Sequence, residues 1–264
     1  MSTTPCFQVD AFTSRAFRGN PAAVCLLDKS RSAKWMQDVA AEKNLSETAF
    51  VTPLKSGFRL RWFAPVCEID LCGHATLATA HVLWSEGVAP ADAELRFQTR
   101  SGVLTANQRG RGIELDFPAR PKLRGSVPEA ALAAALGLRP KNVCKVADDF
   151  IFEVASEAAV LRAKPDFGAL AKVKMRGVIV TAASKGKPDF VSRWFGPRTG
   201  VDEDPVTGSA HCALAPYWGE RLGKAKMKGF QASPRGGEVE VELVGDRVML
   251  RGQAVTVMRG QLTC

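Results

Sequence analysis

Runs of alternating or β-branched residues recur along the chain, and each predicts a strand. They are Gly57–Phe63, Glu94–Thr99, Val103–Asn107, Gly112–Phe117, Phe150–Ala155, Val178–Ala182, Phe190–Trp194 and Glu238–Leu243. The last reads Glu-Val-Glu-Val-Glu-Leu, a strict period of two, so one face is wet and the other buried. Helical patterns are fewer. Ser32–Lys43 places Trp35, Met36, Val39 and Ala40 at the spacing of an amphipathic surface helix. Pro128–Leu136 is Ala-rich with Pro near its start. Two segments differ from these. His74–Glu86 and Ser209–Leu222 are apolar on nearly every side, which predicts helices enclosed by other structure. Pro216 inside the second predicts a kink. Strands do not alternate regularly with helices, so a doubly wound parallel sheet is disfavoured. The pattern predicts an α+β architecture in which antiparallel strands surround one buried helix, built twice.

A repeat supports the doubling. Arg61-Trp62-Phe63-Ala64-Pro65 recurs as Arg193-Trp194-Phe195-Gly196-Pro197, displaced by 193 − 61 = 132 residues in a chain of 264. After each copy come acidic residues, then a Gly opening one of the two enclosed helices: Gly73-His74-Ala75-Thr76 and Gly208-Ser209-Ala210-His211. This order predicts two pseudo-equivalent domains. The boundary is placed near Pro118–Arg124, a stretch rich in Pro and basic residues. The domains are therefore read as 1–118 and 119–249. Facing helix starts would form one site between them.

Composition narrows the class. With 46% apolar and 24% charged residues the chain reads as a soluble globular protein. No apolar run approaches the ~20 residues that span a bilayer, and the first ten residues carry no signal-peptide pattern. Seven scattered Cys, none in a C-x-x-C pair, fit free thiols in a reducing cytoplasm. Structural zinc is disfavoured, since Cys67 and Cys72 lack a second pair and only three His exist. No metal site is read from these residues. The net charge of +9 is dispersed, with Lys224-Ala225-Lys226-Met227-Lys228 as its one cluster. No RNA-binding aromatic signature accompanies it. A small anionic substrate suits this charge better than nucleic acid.

Candidate chemistry lies at the helix starts. Free N–H groups and the positive dipole end bind anions, and Gly73 and Gly208 let a ligand approach the backbone. Gly73, His74, Gly208 and Ser209 could hold one carboxylate, although each Gly alone reads as an ordinary helix cap. Glu47, in Asn44-Leu45-Ser46-Glu47-Thr48, precedes an apolar strand-like run. Such a Glu is ordinarily solvated, and an inward-facing one could serve as a general base. Asp204 precedes Pro205 and the second helix start, a place where a capping acid is also expected. His74 sits in the first turn of a buried helix, beside the proposed anion site, whereas His81 and His211 have no such support.

Taken together, several fragments resemble the phenazine-biosynthesis PhzF-like family, relatives of diaminopimelate epimerase. They are Val9-Asp10-Ala11-Phe12, Gly19-Asn20-Pro21-Ala22-Ala23-Val24, Asn44–Val51, Arg61-Trp62-Phe63, Glu68–Leu77, Leu115-Asp116-Phe117-Pro118 and Arg193–Ser209 continuing to Trp218. The resemblance implies two domains, each a curled antiparallel sheet wrapped around a central helix, with the last strand, about 250–264, returning to the N-terminal domain. It implies a homodimer and a site in the interdomain cleft. By resemblance Glu47 is the acid/base, His74 and Asp204 are site residues, and the backbone at Gly73, Gly208 and Ser209 holds a substrate carboxylate. Asn20 and Ser46 line the cleft. The implied reaction is a cofactor-independent isomerisation of dihydro-hydroxyanthranilate type. The epimerase relatives use one thiol at each helix start. Here Cys72 precedes Gly73 but Thr207 precedes Gly208, which disfavours a two-thiol racemase and leaves Cys72 as a buried structural thiol. A racemase or epimerase of a small amino or hydroxy acid, and a non-catalytic small-molecule-binding protein, are the alternatives.

Overall fold

Why the chain repeats itself is answered by its strand pairings. The computed structural model describes residues 3–264. Its first half runs β1 (Thr4–Ala11), β2 (Asn20–Leu26), α1 (Ala33–Lys43), β3 (Glu47–Pro53), β4 (Phe58–Phe63), β5 (Glu68–Ile69), α2 (Gly73–Ser85), β6 (Leu95–Thr99), β7 (Gly102–Arg109) and β8 (Gly112–Pro118). Then come β9 (Lys122–Leu123), α3 (Glu129–Leu136), β10 (Asn142–Val146), β11 (Asp149–Glu153), α4 (Glu157–Leu161), α5 (Phe167–Ala171), β12 (Gly177–Ala183), β13 (Phe190–Gly196) and β14 (Val201–Asp204). The chain closes with α6 (Gly208–Leu222), β15 (Lys226–Gln231), β16 (Gly237–Val244), β17 (Arg247–Gly252) and β18 (Ala254–Leu262). Two compact units result. One runs to Phe117 and regains Arg251–Cys264; the other is Pro118–Leu250.

In the first unit the strand order is β18-β1-β2-β3-β4-β6-β7-β8, with β5 beside β4. In the second it is β9-β10-β11-β12-β13-β15-β16, with β14 beside β13. The sheets are mixed rather than purely antiparallel. β2–β3 and β4–β6 pair parallel in the first unit, β11–β12 and β13–β15 in the second. Parallel neighbours need a long crossover, usually a helix. Here α1, α2, the α4–α5 pair and α6 are those crossovers, so each enclosed helix accounts for one parallel pair in its unit.

Each enclosed helix sits on its own sheet. α2 packs on β1, β2, β3 and β18, and ten of its thirteen residues are buried. Its two buried threonines return their hydroxyls to the helix backbone, Thr76 Oγ1 to Cys72 O and Thr79 Oγ1 to Ala75 O, so neither hydroxyl is stranded. α6 packs on β15 and β16 and runs through Pro216 as one helix. Pro216 has no N–H for the Cys212 carbonyl; the Arg120 N–H bonds that carbonyl instead, at 3.0 Å. The outer face of the second unit is closed by α3, α4 and α5 over Phe150, Phe152, Val180 and Phe195.

The Arg-Trp-Phe repeat is a rivet. Arg61 forks onto Glu68 at 2.7 and 2.8 Å and lies over the Phe63 ring at 5.0 Å. Arg193 forks onto Glu203 at 2.7 and 2.8 Å and lies over Phe195 at 4.8 Å. In each unit the acidic residue after the repeat is the partner of its own arginine, a bidentate pair that pins the short return strand.

Candidate active site

Local sequence explains how Asn20 and Glu47 are placed. Gly19 has φ +64°, and a Cβ there would lie 2.1 Å from the Ala11 carbonyl oxygen. Only Gly lets the chain turn that tightly into β2, whose first residue Asn20 pairs with Ala11. Asn44 ends α1 in the left-handed conformation, φ 50°, with its N–H on Ala40 O. That turn brings Glu47 to the head of β3, parallel to β2 with Glu47 opposite Ala22.

Four side chains of the first unit converge. Asn20 Nδ2 lies 3.1 Å from His74 Nδ1, and Cys72 Sγ lies 3.6 Å from the same nitrogen. His74 Nε2 lies 3.1 Å from Glu47 Oε2. These last two atoms sit off the hydrogen-bond line, so both keep unspent bonding capacity although they are buried. An amide nitrogen only donates, so in the neutral ring Nδ1 accepts from Asn20 and the proton sits on Nε2, facing Glu47. Asn20 and His74 are buried, and the Glu47 side chain is 18% exposed. Ser46 is half-buried in the turn before β3. Gly73 opens α2, which has no side-chain cap hydrogen bond and no acid in its first turn.

Electrostatics separate the thiol from the other groups. Burial, then the Glu47 charge, pushes Cys72 up to about 11, so it is a neutral thiol at neutral pH. Burial alone would pull His74 down, but the negative charges of Cys72 and Glu47 outweigh it and the net direction is upward from 6.5. Glu47, Cys72 and His74 also form a group of three possible metal ligands, their atoms within 4.8 Å of one another. A cation there would need the Cys72 thiolate, the species this environment resists.

The second unit carries no counterpart of Glu47. With the repeated Arg-Trp-Phe as anchor, Thr48 and Ala49 pair with Phe63 and Trp62, while Val178 and Ile179 pair with Phe195 and Trp194. Glu47 thus corresponds to Gly177. A Cβ on Gly177 would lie 2.3 Å from the Trp194 ring, so the indole fills that position. Beside it, Asp149 is 2% exposed. It takes Arg176 Nε at 2.9 Å, Arg176 Nη2, and Trp194 Nε1 at 3.4 Å. Arg176 Nη2 also donates to Ser209 Oγ at 3.0 Å. At the start of α6, Thr207 Oγ1 donates to Asp204 Oδ2 at 2.6 Å instead of capping the helix. Gln231, fully buried, ties the loop down by donating to Asp204 O and accepting from Thr207 N–H.

Of the residues singled out in the sequence, Asn20, Glu47 and His74 come together in the first unit, while Asp204, Gly208 and Ser209 share the start of α6 in the second. Cys72, set aside as structural, joins the first group through His74 Nδ1. Asp149, Arg176 and Gln231 drew no attention in the sequence. Arg176 reads there as one solvated cation among many, and its partners Asp149 and Ser209 lie 27 and 33 residues away.

Two units, each folding a mixed sheet around a buried crossover helix, with a carboxylate–imidazole pair at one helix start, define an epimerase-like α+β protein. The family model for phenazine biosynthesis-like proteins matches residues 9–260, and the chain belongs to that family. A Halalkalibacterium halodurans protein named as an uncharacterized isomerase is 51% identical, over 99% of both chains. The human phenazine biosynthesis-like domain-containing protein is 42% identical over 98% of this chain and 99% of its own. Among solved structures, an Enterococcus faecalis PhzF-family protein superposes with TM-score 0.93 at 41% identity and full coverage of both chains. A hydroxyproline epimerase from Agrobacterium vitis, at 10% identity, TM-score 0.63 and coverage of 98% and 92%, shares the fold.

Proposed function

We propose that the protein is an isomerase that moves a proton on a small carboxylate substrate, with Glu47 as the single acid/base. The observation that carries this reading is the Glu47–His74 contact, a carboxylate with unspent bonding capacity held 3.1 Å from an imidazole N–H. Glu47 takes a proton from an acidic C–H, the electron pair moves into the conjugated system, and the Glu47 carboxyl returns the proton to another carbon. His74 orients the carboxylate through its Nε2 proton. Gly73 at the start of α2 binds the substrate carboxylate, Asn20 and Ser46 line the site, and Asp204 sets the α6 start through Thr207. Uncapped N–H groups favour the charge that develops as the proton leaves. Ser209 Oγ accepts from Arg176 Nη2, so its own hydroxyl proton stays available as a donor.

Racemisation by two bases is less well supported. It needs a second base, and the positions equivalent to Glu47 and Cys72 are Gly177 and Thr207. The chemistry proposed requires no cofactor. Names carried by relatives, isomerase among them, agree with the reaction class. The test is a turnover screen over small carboxylic acids with an acidic C–H, dihydro-hydroxyanthranilate included, using wild type and Glu47→Gln. A fall of about 10²–10⁴ in turnover in the variant is expected. Equal turnover would remove Glu47 from the reaction.

A further inference from the structure

Away from the Glu47 group, two thiols face each other inside the first unit. Cys6 on β1 and Cys25 on β2 are directly paired in the antiparallel ladder. Directly opposed residues have Cα atoms about 4.5–5.5 Å apart, within the ~4.4–6.8 Å range of disulfides. Their sulfurs are 3.6 Å apart, with Cys25 Sγ donating to Cys6 Sγ. Closing that gap to a bond takes a small rotation about χ1 and no shift of register. Both thiols are buried against Leu27, Met36, Val39, Phe50 and Phe63, so neither is placed to bind substrate. Asn20 is at the other end of the same ladder, opposite Ala11, five rows away or about 17 Å.

We infer that Cys6 and Cys25 form a modification site, a thiol pair that hydrogen peroxide converts into a reversible intrachain disulfide. The Cys6 sulfur attacks one peroxide oxygen, the O–O bond breaks, and hydroxide leaves, giving a sulfenic acid. Cys25 sulfur then attacks the Cys6 sulfur, the S–O bond breaks, and the oxygen leaves as water with the Cys25 proton. Two thiols are oxidised and one peroxide is reduced. Cys6 is the attacking partner because the Cys25 hydrogen bond, aided by Lys43, holds it down to about 7 against the effect of burial. Cys25 is pushed upward by that same bond and by its own burial, as befits the resolving thiol. The bridge would join β1 to β2 and constrain the unfolded chain more than the folded one.

The test uses the intact protein. Wild type is treated with hydrogen peroxide, alkylated with iodoacetamide under denaturing conditions, and mapped without reduction. The expected result is a linked Cys6–Cys25 peptide pair, a mass lower by two hydrogens, a thermal midpoint raised by several degrees, and full reversal by dithiothreitol. The exposed thiols Cys67 and Cys264 are removed in a Cys67→Ser/Cys264→Ser variant, which should form the bridge to the same extent. Recovery of Cys6 and Cys25 as alkylated thiols while exposed thiols oxidise would overturn the inference. So would a bridge from either one to a different cysteine, or loss of the bridge in the double variant.

Discussion

Arg176→Met tests whether the second unit is organised around a buried ion pair. The change removes the fork onto Asp149 and the bond to Ser209 Oγ, leaving Asp149 with the long 3.4 Å contact from Trp194 Nε1. The Asp149 side chain is 3% exposed, so its charge cannot turn to water. Stranding one partner of a buried pair costs about 3–5 kcal/mol. The Arg176 side chain is 31% exposed, which lets water partly replace it and favours the lower end, about 3 kcal/mol. That is more than a hundredfold in the folding equilibrium. Adding Asp149→Leu should recover most of the loss, because the uncompensated charge is then gone. Urea unfolding of wild type, both single variants and the double variant gives the cycle. A loss under about 1 kcal/mol for Arg176→Met, or a double variant as unstable as the sum of the singles, would refute the reasoning.

Two other outcomes follow from the same geometry. Cys72→Ala should keep turnover within a few-fold of wild type, since a thiol pushed up to about 11 is not a base at neutral pH; turnover abolished in Cys72→Ala but intact in Glu47→Gln would reverse their roles. His211, fully buried with Nδ1 on Thr207 O, is driven down from 6.5 to about 4 by that burial. The unfolded chain therefore binds the proton first, and stability falls as pH drops from 6.5 toward 4, by about 3 kcal/mol at 1.36 per unit. His211→Gln should flatten that part of the stability curve, read by urea midpoints across the range.

The strand pattern was legible where one face of a strand is wet. Glu238–Leu243 alternates in the sequence and in burial along β16. β2 and β11 are buried on both faces, so β2 was missed and β11 was read only from its apolar run. The two enclosed helices were read correctly from their all-round apolarity, but not that they force parallel pairs, because crossover geometry is not a local property. At the site, Glu47 reads in the sequence as an ordinary solvated charge at a strand start, and it is the family resemblance that singles it out together with His74. The acidic residues after the second repeat look alike in the sequence, although Glu203 is the partner of Arg193 and Asp204 faces Thr207. Gly177 is the instructive omission. Its meaning lies in the missing side chain, and only the register of β12 against β13 shows that it stands where Glu47 stands in the other half.

The most direct test of Glu47 as the proton carrier is product analysis by NMR in deuterated water, on the carboxylate substrate found by screening, with wild type and Glu47→Gln side by side. The account predicts that wild type forms product with hydrogen moved from one carbon to another, and that both product formation and C–H exchange vanish in Glu47→Gln. A Glu47→Gln protein that turns over or exchanges at the wild-type rate would contradict it.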